Sequence, residues 1–217
     1  MLRDAHNRTI RDLRISLTDR CNFRCFYCLP NGEPPLARKD TILTFEEIAY
    51  LADIFVGLGI EKIRLTGGEP LIRKDVPKLV EKLATLKPRL HDLALTTNGF
   101  DFPRHAKSLK DAGLDRVTLS LDSLDREKFV DITGVDALDK VYASIEAAKE
   151  FGFEPVKVNA CIVRGRNDDE LVDFARFARE TDVSFRFIEF MPLDSGHEWS
   201  REMVVSGKEI HAAINDA

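Results

Sequence analysis

Lys62-Ile63-Arg64-Leu65-Thr66-Gly67-Gly68-Glu69-Pro70 decides how the rest of the chain is read. Its first five residues alternate, with Arg64 and Thr66 on one side and Ile63 and Leu65 on the other, which is the period of a β-strand. The glycine pair then ends the strand in a turn that can let a ligand approach the backbone, and Glu69 adds a carboxylate. In a doubly wound sheet, helices cover both faces and strands read as apolar throughout. A strand with one polar face belongs instead where one side meets helices and the other a wet interior.

Five further segments repeat the pattern. Strands are expected over residues 13–17, 62–66, 93–97, 116–121, 156–163 and 184–190. Helical periodicity fills the intervals at 44–57, 76–86, 103–112, 138–151 and 168–180, with a last helix at 206–214. Thr44 before Glu46 and Glu47 suits a helix start, Gly113 and Gly152 suit helix ends, and Asn167-Asp168 reads as a cap. Strand–helix alternation with short connections means parallel strands and right-handed crossovers. Polar residues share one face of five strands: Arg14 and Ser16; Arg64 and Thr66; Thr96 and Asn98; Thr118, Ser120 and Asp122; Lys157, Asn159 and Cys161. On the sixth strand, parity leaves open whether Arg186 or Glu189 faces inward. The expected fold is α/β, an open partial (β/α)6 barrel with parallel strands and helices outside. One domain is expected over 1–217, with 1–11 as an N-terminal extension, 12–191 as the six-strand barrel, and 192–217 as a loop and terminal helix.

With 217 residues, 44% of them hydrophobic and 32% charged, the chain has the make-up of a soluble protein with a sizeable core. A net charge of −5 argues against a nucleic-acid partner. No apolar run approaches the roughly 20 residues of a membrane span. The first residues lack the apolar core of a signal peptide, so a cytoplasmic location is expected. Four cysteines are too few for a disulfide scaffold at this length.

Three of those cysteines stand in Leu17-Thr18-Asp19-Arg20-Cys21-Asn22-Phe23-Arg24-Cys25-Phe26-Tyr27-Cys28-Leu29-Pro30. The C-x3-C-x2-C spacing is not that of a structural zinc knuckle, and it supplies three ligands rather than four. On a cubane of four irons, three thiolates leave one iron open. Cys161 reads as a small buried hydrophobe deep in the barrel, away from this loop. Zinc on all four cysteines is the structural alternative. The inward cations Arg14, Arg64 and Lys157 need anions. Either Asp122, Glu69 or Glu189 pairs with them as a structural network, or an anionic substrate such as a polyphosphate does. Glu69 is likewise either a solvated turn residue or the partner of a cationic group.

The three-cysteine motif with Tyr27 ahead of its last cysteine, followed by Gly67-Gly68-Glu69-Pro70, resembles the radical S-adenosylmethionine superfamily. More narrowly, residues 17–22, 65–71, 95–99, 120–124 and 186–192 are similar to the GTP 3',8-cyclase family of molybdenum-cofactor biosynthesis. The resemblance implies that Cys21, Cys25 and Cys28 hold a [4Fe–4S] cluster whose open iron binds S-adenosyl-L-methionine. It implies that Tyr27, Gly68, Ser120 and Met191 line the cofactor site, with Glu69 near the cofactor's amino group. Arg14, Arg64, Thr96 and Lys157 are then the residues that contact GTP. The implied enzyme is a lyase. It cleaves S-adenosylmethionine reductively to a 5'-deoxyadenosyl radical and uses it to convert GTP to (8S)-3',8-cyclo-7,8-dihydroguanosine 5'-triphosphate. No catalytic side chain beyond cluster and cofactor is implied. An electron donor such as flavodoxin or ferredoxin and a homodimer complete the expectation. The family continues past the equivalent of Ala217 with three more cysteines for a second cluster, so the cofactor half is expected to be complete and the substrate half not. The alternatives are a radical enzyme acting on a peptide or another small anion, and the zinc-binding structural module.

Overall fold

A computed structural model describes residues 2–28, 36–192 and 199–217. Leu29 and Pro30, which close the cysteine motif, and most of the loop expected after residue 192, with His197, lie outside the described residues. Six parallel strands form one sheet in the order β1-β2-β3-β4-β5-β6. They are β1 (Asp12–Ser16), β2 (Lys62–Thr66), β3 (Asp92–Thr97), β4 (Arg116–Ser120), β5 (Lys157–Ile162) and β6 (Ser184–Glu189). Seven helices accompany them among the described residues: α1 (Phe45–Gly57), α2 (Val76–Ala84), α3 (Phe102–Asp111), α4 (Arg126–Thr133), α5 (Leu138–Glu150), α6 (Leu171–Glu180) and α7 (Gly207–Asn215). The fold is the open partial (β/α)6 barrel that the alternation predicts.

Local chemistry sets the helix ends. Thr44 and Glu47 form a reciprocal capping box at the start of α1, and Ser206 and Glu209 do the same for α7. Gly113 and Gly152 follow α3 and α5 at φ +99° and +70°, where a side chain would be strained. Asn167 stands at the cap position of the turn that leads into α6, but its side chain does not cap it. Its side chain turns into the protein, residues 168–170 form a short 3-10 turn, and α6 begins only at Leu171.

The outward strand residues make the core. Ile63, Leu65, Leu93, Leu95, Val117, Leu119 and Val158 are buried beneath Ile48, Ala52, Leu79, Leu83, Leu109 and Val141 of the helices. Burying a side chain of this kind contributes about 1.5–3 kcal/mol, which fixes strand parity. The other face is wetter, and the register arranges it in rows. Arg14 pairs with Arg64, Arg64 with Ala94 and Ala94 with Arg116. One step higher, Thr96 pairs with Thr118, Thr118 with Lys157 and Lys157 with Ser184. Above that lie Ser120, Asn159 and Arg186.

The last row resolves the sixth strand. Arg186 faces inward, and Glu189 lies on the opposite parity, where it accepts the Gly207 N–H at the start of α7. At the N-terminus, Arg3 and Thr9 form an antiparallel bridge and Leu2 packs against the core, so the extension is anchored. No described helix is long and apolar enough to cross a membrane.

Candidate functional site: a cysteine-lined cavity at the barrel mouth

The cysteine loop leaves β1 and crosses the carboxyl ends of the other strands. Two backbone bonds seat it on the glycine turn: Gly68 N–H donates to Thr18 O and Glu69 N–H to Arg20 O, both at 2.7 Å. A Cβ on Gly68 would stand 2.2 Å from Arg20 O, so only glycine admits this crossing. The glycine pair therefore also admits a close approach by the chain itself, besides lining the cavity described next. Further along, Arg24 N–H donates to Thr133 O and Phe26 N–H to Ile132 O, at 2.9 and 3.0 Å. The cysteine loop thus docks on the end of α4, a helix the sequence reading does not anticipate.

Cys21, Cys25 and Cys28 all line one cavity of about 180 Å³, together with Gly67, Gly68, Glu69, Thr96, Asn98 and Ser120. A second cavity of about 270 Å³ adjoins it, lined by Asn159, Cys161, Ile188 and Met191, and shares Tyr27, Cys28, Ser120 and Asp122 with the first. The four cysteines form no disulfide. Burial pushes the Cys21, Cys25 and Cys28 thiols up, Cys25 well above the usual range, and nearby negative groups add to this at Cys21 and Cys25. A cation among such sulfurs would favour their thiolate form.

Glu69 is buried and accepts three hydrogen bonds. Thr97 Oγ1 donates to its Oε1 at 2.7 Å, as does the Leu71 N–H at 3.1 Å, while the Asn98 N–H donates to Oε2 at 2.8 Å. Burial nonetheless raises its pKa above the usual carboxylate range. Asp122 is also buried. Its Oδ2 accepts Tyr27 Oη at 2.6 Å and its Oδ1 accepts the Cys161 N–H at 2.8 Å. The structural network of inward cations with Asp122, Glu69 or Glu189 therefore does not form.

Among the described residues Arg14, Arg64, Lys157 and Arg186 make no ion pair with a carboxylate. Arg64 Nη1 instead donates to Thr96 Oγ1 and Thr118 Oγ1, both at 3.1 Å. Arg116 is the exception on this face, paired through two nitrogens with Asp92. Burial lowers the pKa of Arg64 and Lys157, and the crowd of neighbouring guanidinium groups lowers both further. Arg14 and Arg64 line a third, polar cavity of about 160 Å³ below the mouth.

The residues selected by sequence therefore fall at the mouth or on the two inward rows beneath it. Cys161 is a correction. It is half-buried at the carboxyl end of β5 and shares a cavity with Cys28, with burial and Asp122 pushing its thiol up to about 12.

The donor set fits a cluster. Three soft sulfurs face one cavity, yet among the described residues no three His, Cys, Asp or Glu side chains converge closely enough to hold a single metal ion. The zinc module finds no support in that geometry. The second cavity contains a buried acceptor, Asn159 Oδ1, with no partner among the described residues, as a site for a ligand's donor requires.

The description of the Radical SAM superfamily matches residues 15–178, from β1 into α6. The chain belongs to the radical SAM superfamily. With membership come the cofactors that the cysteine motif implies, a [4Fe–4S] cluster and S-adenosylmethionine. Among curated relatives, this radical SAM chain is 48% identical over 219 aligned positions to the GTP 3',8-cyclase of Acidothermus cellulolyticus, covering 99% of the chain and 60% of the relative. It is 50% identical to the GTP 3',8-cyclase of Moorella thermoacetica, covering 99% of the chain and 66% of the relative. The chain spans about 60–66% of the length of such relatives.

Solved radical SAM structures share the fold at lower identity. Streptococcus suis SuiB bound to S-adenosylmethionine superposes with a TM-score of 0.70 at 19% identity, over 95% of this chain and 47% of that one. Methylornithine synthase gives 0.71 at 20%, over 94% and 61%.

Sequence reasoning passed over Arg116, placed Asn98 on the inward face without a partner, and read Asn167 only as a cap. Asn98 Nδ2 donates to Asn22 Oδ1 at 2.8 Å and lies 3.9 Å from Cys21 Sγ. Strand parity could have found Arg116, which shares a face with Thr118. Nothing in the sequence marks Asn167 as a partner of Asp122 and Cys161.

Proposed function

We propose that residues 1–217 act as one radical SAM domain that carries the radical-generating site of a GTP 3',8-cyclase, serving molybdenum-cofactor biosynthesis. The observation that carries this reading is the set of inward cations Arg14, Arg64, Lys157 and Arg186, which make no ion pair with a carboxylate among the described residues, beneath a cysteine-lined mouth. Cys21, Cys25 and Cys28 hold the cluster as thiolates. Together, the bound cluster and S-adenosylmethionine supply a one-electron cleavage of the sulfonium carbon–sulfur bond. Glu69 takes the cofactor's ammonium group, whose charge offsets the desolvation that raises this carboxylate. Ser120, Met191 and the open acceptor of Asn159 bound the space for the adenosine part, next to Gly68 and the ring of Tyr27. Arg64, already oriented by Thr96 and Thr118, takes the triphosphate with Arg14, Lys157 and Arg186.

The substrate is GTP and the product its 3',8-cyclised triphosphate. The electron comes from a donor of the flavodoxin or ferredoxin class. Two copies of the chain associate, a reading supported by exposed Tyr50, Leu51, Ile54 and Leu58 along one side of α1.

Anaerobic reconstitution with iron and sulfide tests the cofactor part. The expected result is a brown protein that forms 5'-deoxyadenosine from S-adenosylmethionine on dithionite reduction. A colourless protein, or one that leaves S-adenosylmethionine intact, would overturn it. Arg64→Ala and Lys157→Ala should each weaken GTP binding about tenfold to a hundredfold, the worth of one charge-assisted contact. Unchanged nucleotide affinity in both variants, or deoxyadenosine formation indifferent to GTP, would assign the site to another substrate.

A further inference from the structure

Tyr27 stands between two of the cysteines, and its ring lines both cavities at the mouth. Its hydroxyl, however, is committed: Oη donates to Asp122 Oδ2 at 2.6 Å, between residues 95 positions apart. Asp122 is 3% exposed and held from three sides. The Cys161 N–H occupies its other carboxylate oxygen at 2.8 Å. Asn167, 0% exposed, donates its Nδ2 to the Asp122 carbonyl at 2.6 Å and to the Cys161 carbonyl at 2.8 Å, while its Oδ1 accepts the Val163 N–H at 2.8 Å. The carboxylate is thus a fixed anchor built from the ends of β4 and β5 and the turn before α6. The same four residues, Tyr27, Cys28, Ser120 and Asp122, border both cavities, so the Tyr27–Asp122 pair is part of the wall between them.

We infer that the Tyr27–Asp122 hydrogen bond is a latch that holds the cysteine loop in its cluster-ready position before any cluster is present, with Asn167 as the residue that positions the latch. Tyr27 therefore offers the cofactor a ring face and backbone, while its hydroxyl serves the loop. Phe26 adds apolar grip beside it, edge-on to Phe190 at 6.0 Å and beneath the Arg166 guanidinium at 4.7 Å, but these contacts carry little direction. The short bond to a carboxylate is what sets the angle at which Cys25 and Cys28 meet the cavity. The inference rests on the cluster reading for its purpose, but the latch itself can be tested without a cluster.

Hydrogen exchange of the Arg24, Phe26 and Cys28 amides in the metal-free protein is the direct measurement. Tyr27→Phe keeps the ring and removes only the hydroxyl. Tyr27→Phe and Asp122→Ala should each speed exchange of these amides about tenfold to a hundredfold, the range for a hydrogen bond to a charged group. The double variant should exchange no faster than the faster single, because both remove one contact. Amides of α2 and α5 should not change, which separates a latch from general destabilisation. Loop exchange in Tyr27→Phe within twofold of wild type, or exchange that rises equally across the whole sheet, would overturn the inference. In reconstituted protein the same variants should lose iron to a chelator about tenfold to a hundredfold faster than wild type. If wild type takes no cluster, the functional reading falls while the exchange result still decides the latch.

Discussion

Gly68 shows how narrow the tolerance is at a single residue. A methyl group there would meet Arg20 O at 2.2 Å and Arg20 C at 2.5 Å, both backbone atoms that cannot swing aside. Gly68→Ala should cost about 1–3 kcal/mol of stability as the loop is pushed off the turn, read as a lower urea midpoint. A midpoint unchanged from wild type would mean that the loop has room to move. The sequence made Arg14, Arg64 and Lys157 legible because strands repeat every two residues and the helices claim the apolar side. It could not reveal Asp122 as the anchor of Tyr27, since 95 positions separate the two and neither residue type signals the other. Nor could it show that the thiol of Cys161 belongs to the mouth, because parity gives a face and not a height along the barrel.

At the scale of elements, strands were read to within a residue while α4 was passed over. Arg126–Thr133 spans barely two turns and carries Val130, Ile132 and Thr133, which are poor helix formers, so its pattern is weak on its own. It is a helix because Phe129 and Ile132 are buried and Asp125 caps it through the Lys128 N–H. Phe129 meets Phe23 edge to face at 6.1 Å, which ties this helix to the cysteine loop. Tertiary packing supplied what local preference did not.

Neighbouring strands also hold a pH-dependent link. Burial opposes ionisation of Asp92, but the Arg116 guanidinium beside it outweighs that and holds its carboxyl below the usual range. A carboxylate with a depressed folded value contributes stability that is present above its unfolded value of about 3.9 and lost as pH falls through the folded one. Arg116→Gln should therefore cost about 1–3 kcal/mol at neutral pH. Denaturant melts taken stepwise below about pH 4 should show that difference shrinking as Asp92 is protonated in both proteins. A gap that stays constant into acid would assign the loss to packing.

On the scale of the whole molecule, the two sides of α1 differ. Glu46 reaches Lys82 of α2 and Asp53 reaches Arg89, so one side is tied to its neighbour by charge. Tyr50, Leu51, Ile54 and Leu58 occupy positions away from those charges and are exposed, at the three- and four-residue spacing of one helix stripe. Sedimentation of the purified chain should give a dimer that Ile54→Glu converts to a monomer. A wild-type monomer at all concentrations would remove that part of the reading.

The order of the strands has a consequence in time. Because the sheet runs β1 to β6 in sequence order, each strand of a growing chain can pair with the one made just before it. The three cysteines are synthesised well before Asp122, Ile132 and Thr133, and Phe190, on which their loop rests. At a translation rate of about 5–20 residues per second, the 95 positions from Tyr27 to Asp122 leave the thiols without their seat for roughly 5–20 s. Metal delivery to this protein therefore belongs after the sixth strand and Phe190 have emerged, and the nascent chain must be kept reduced until then.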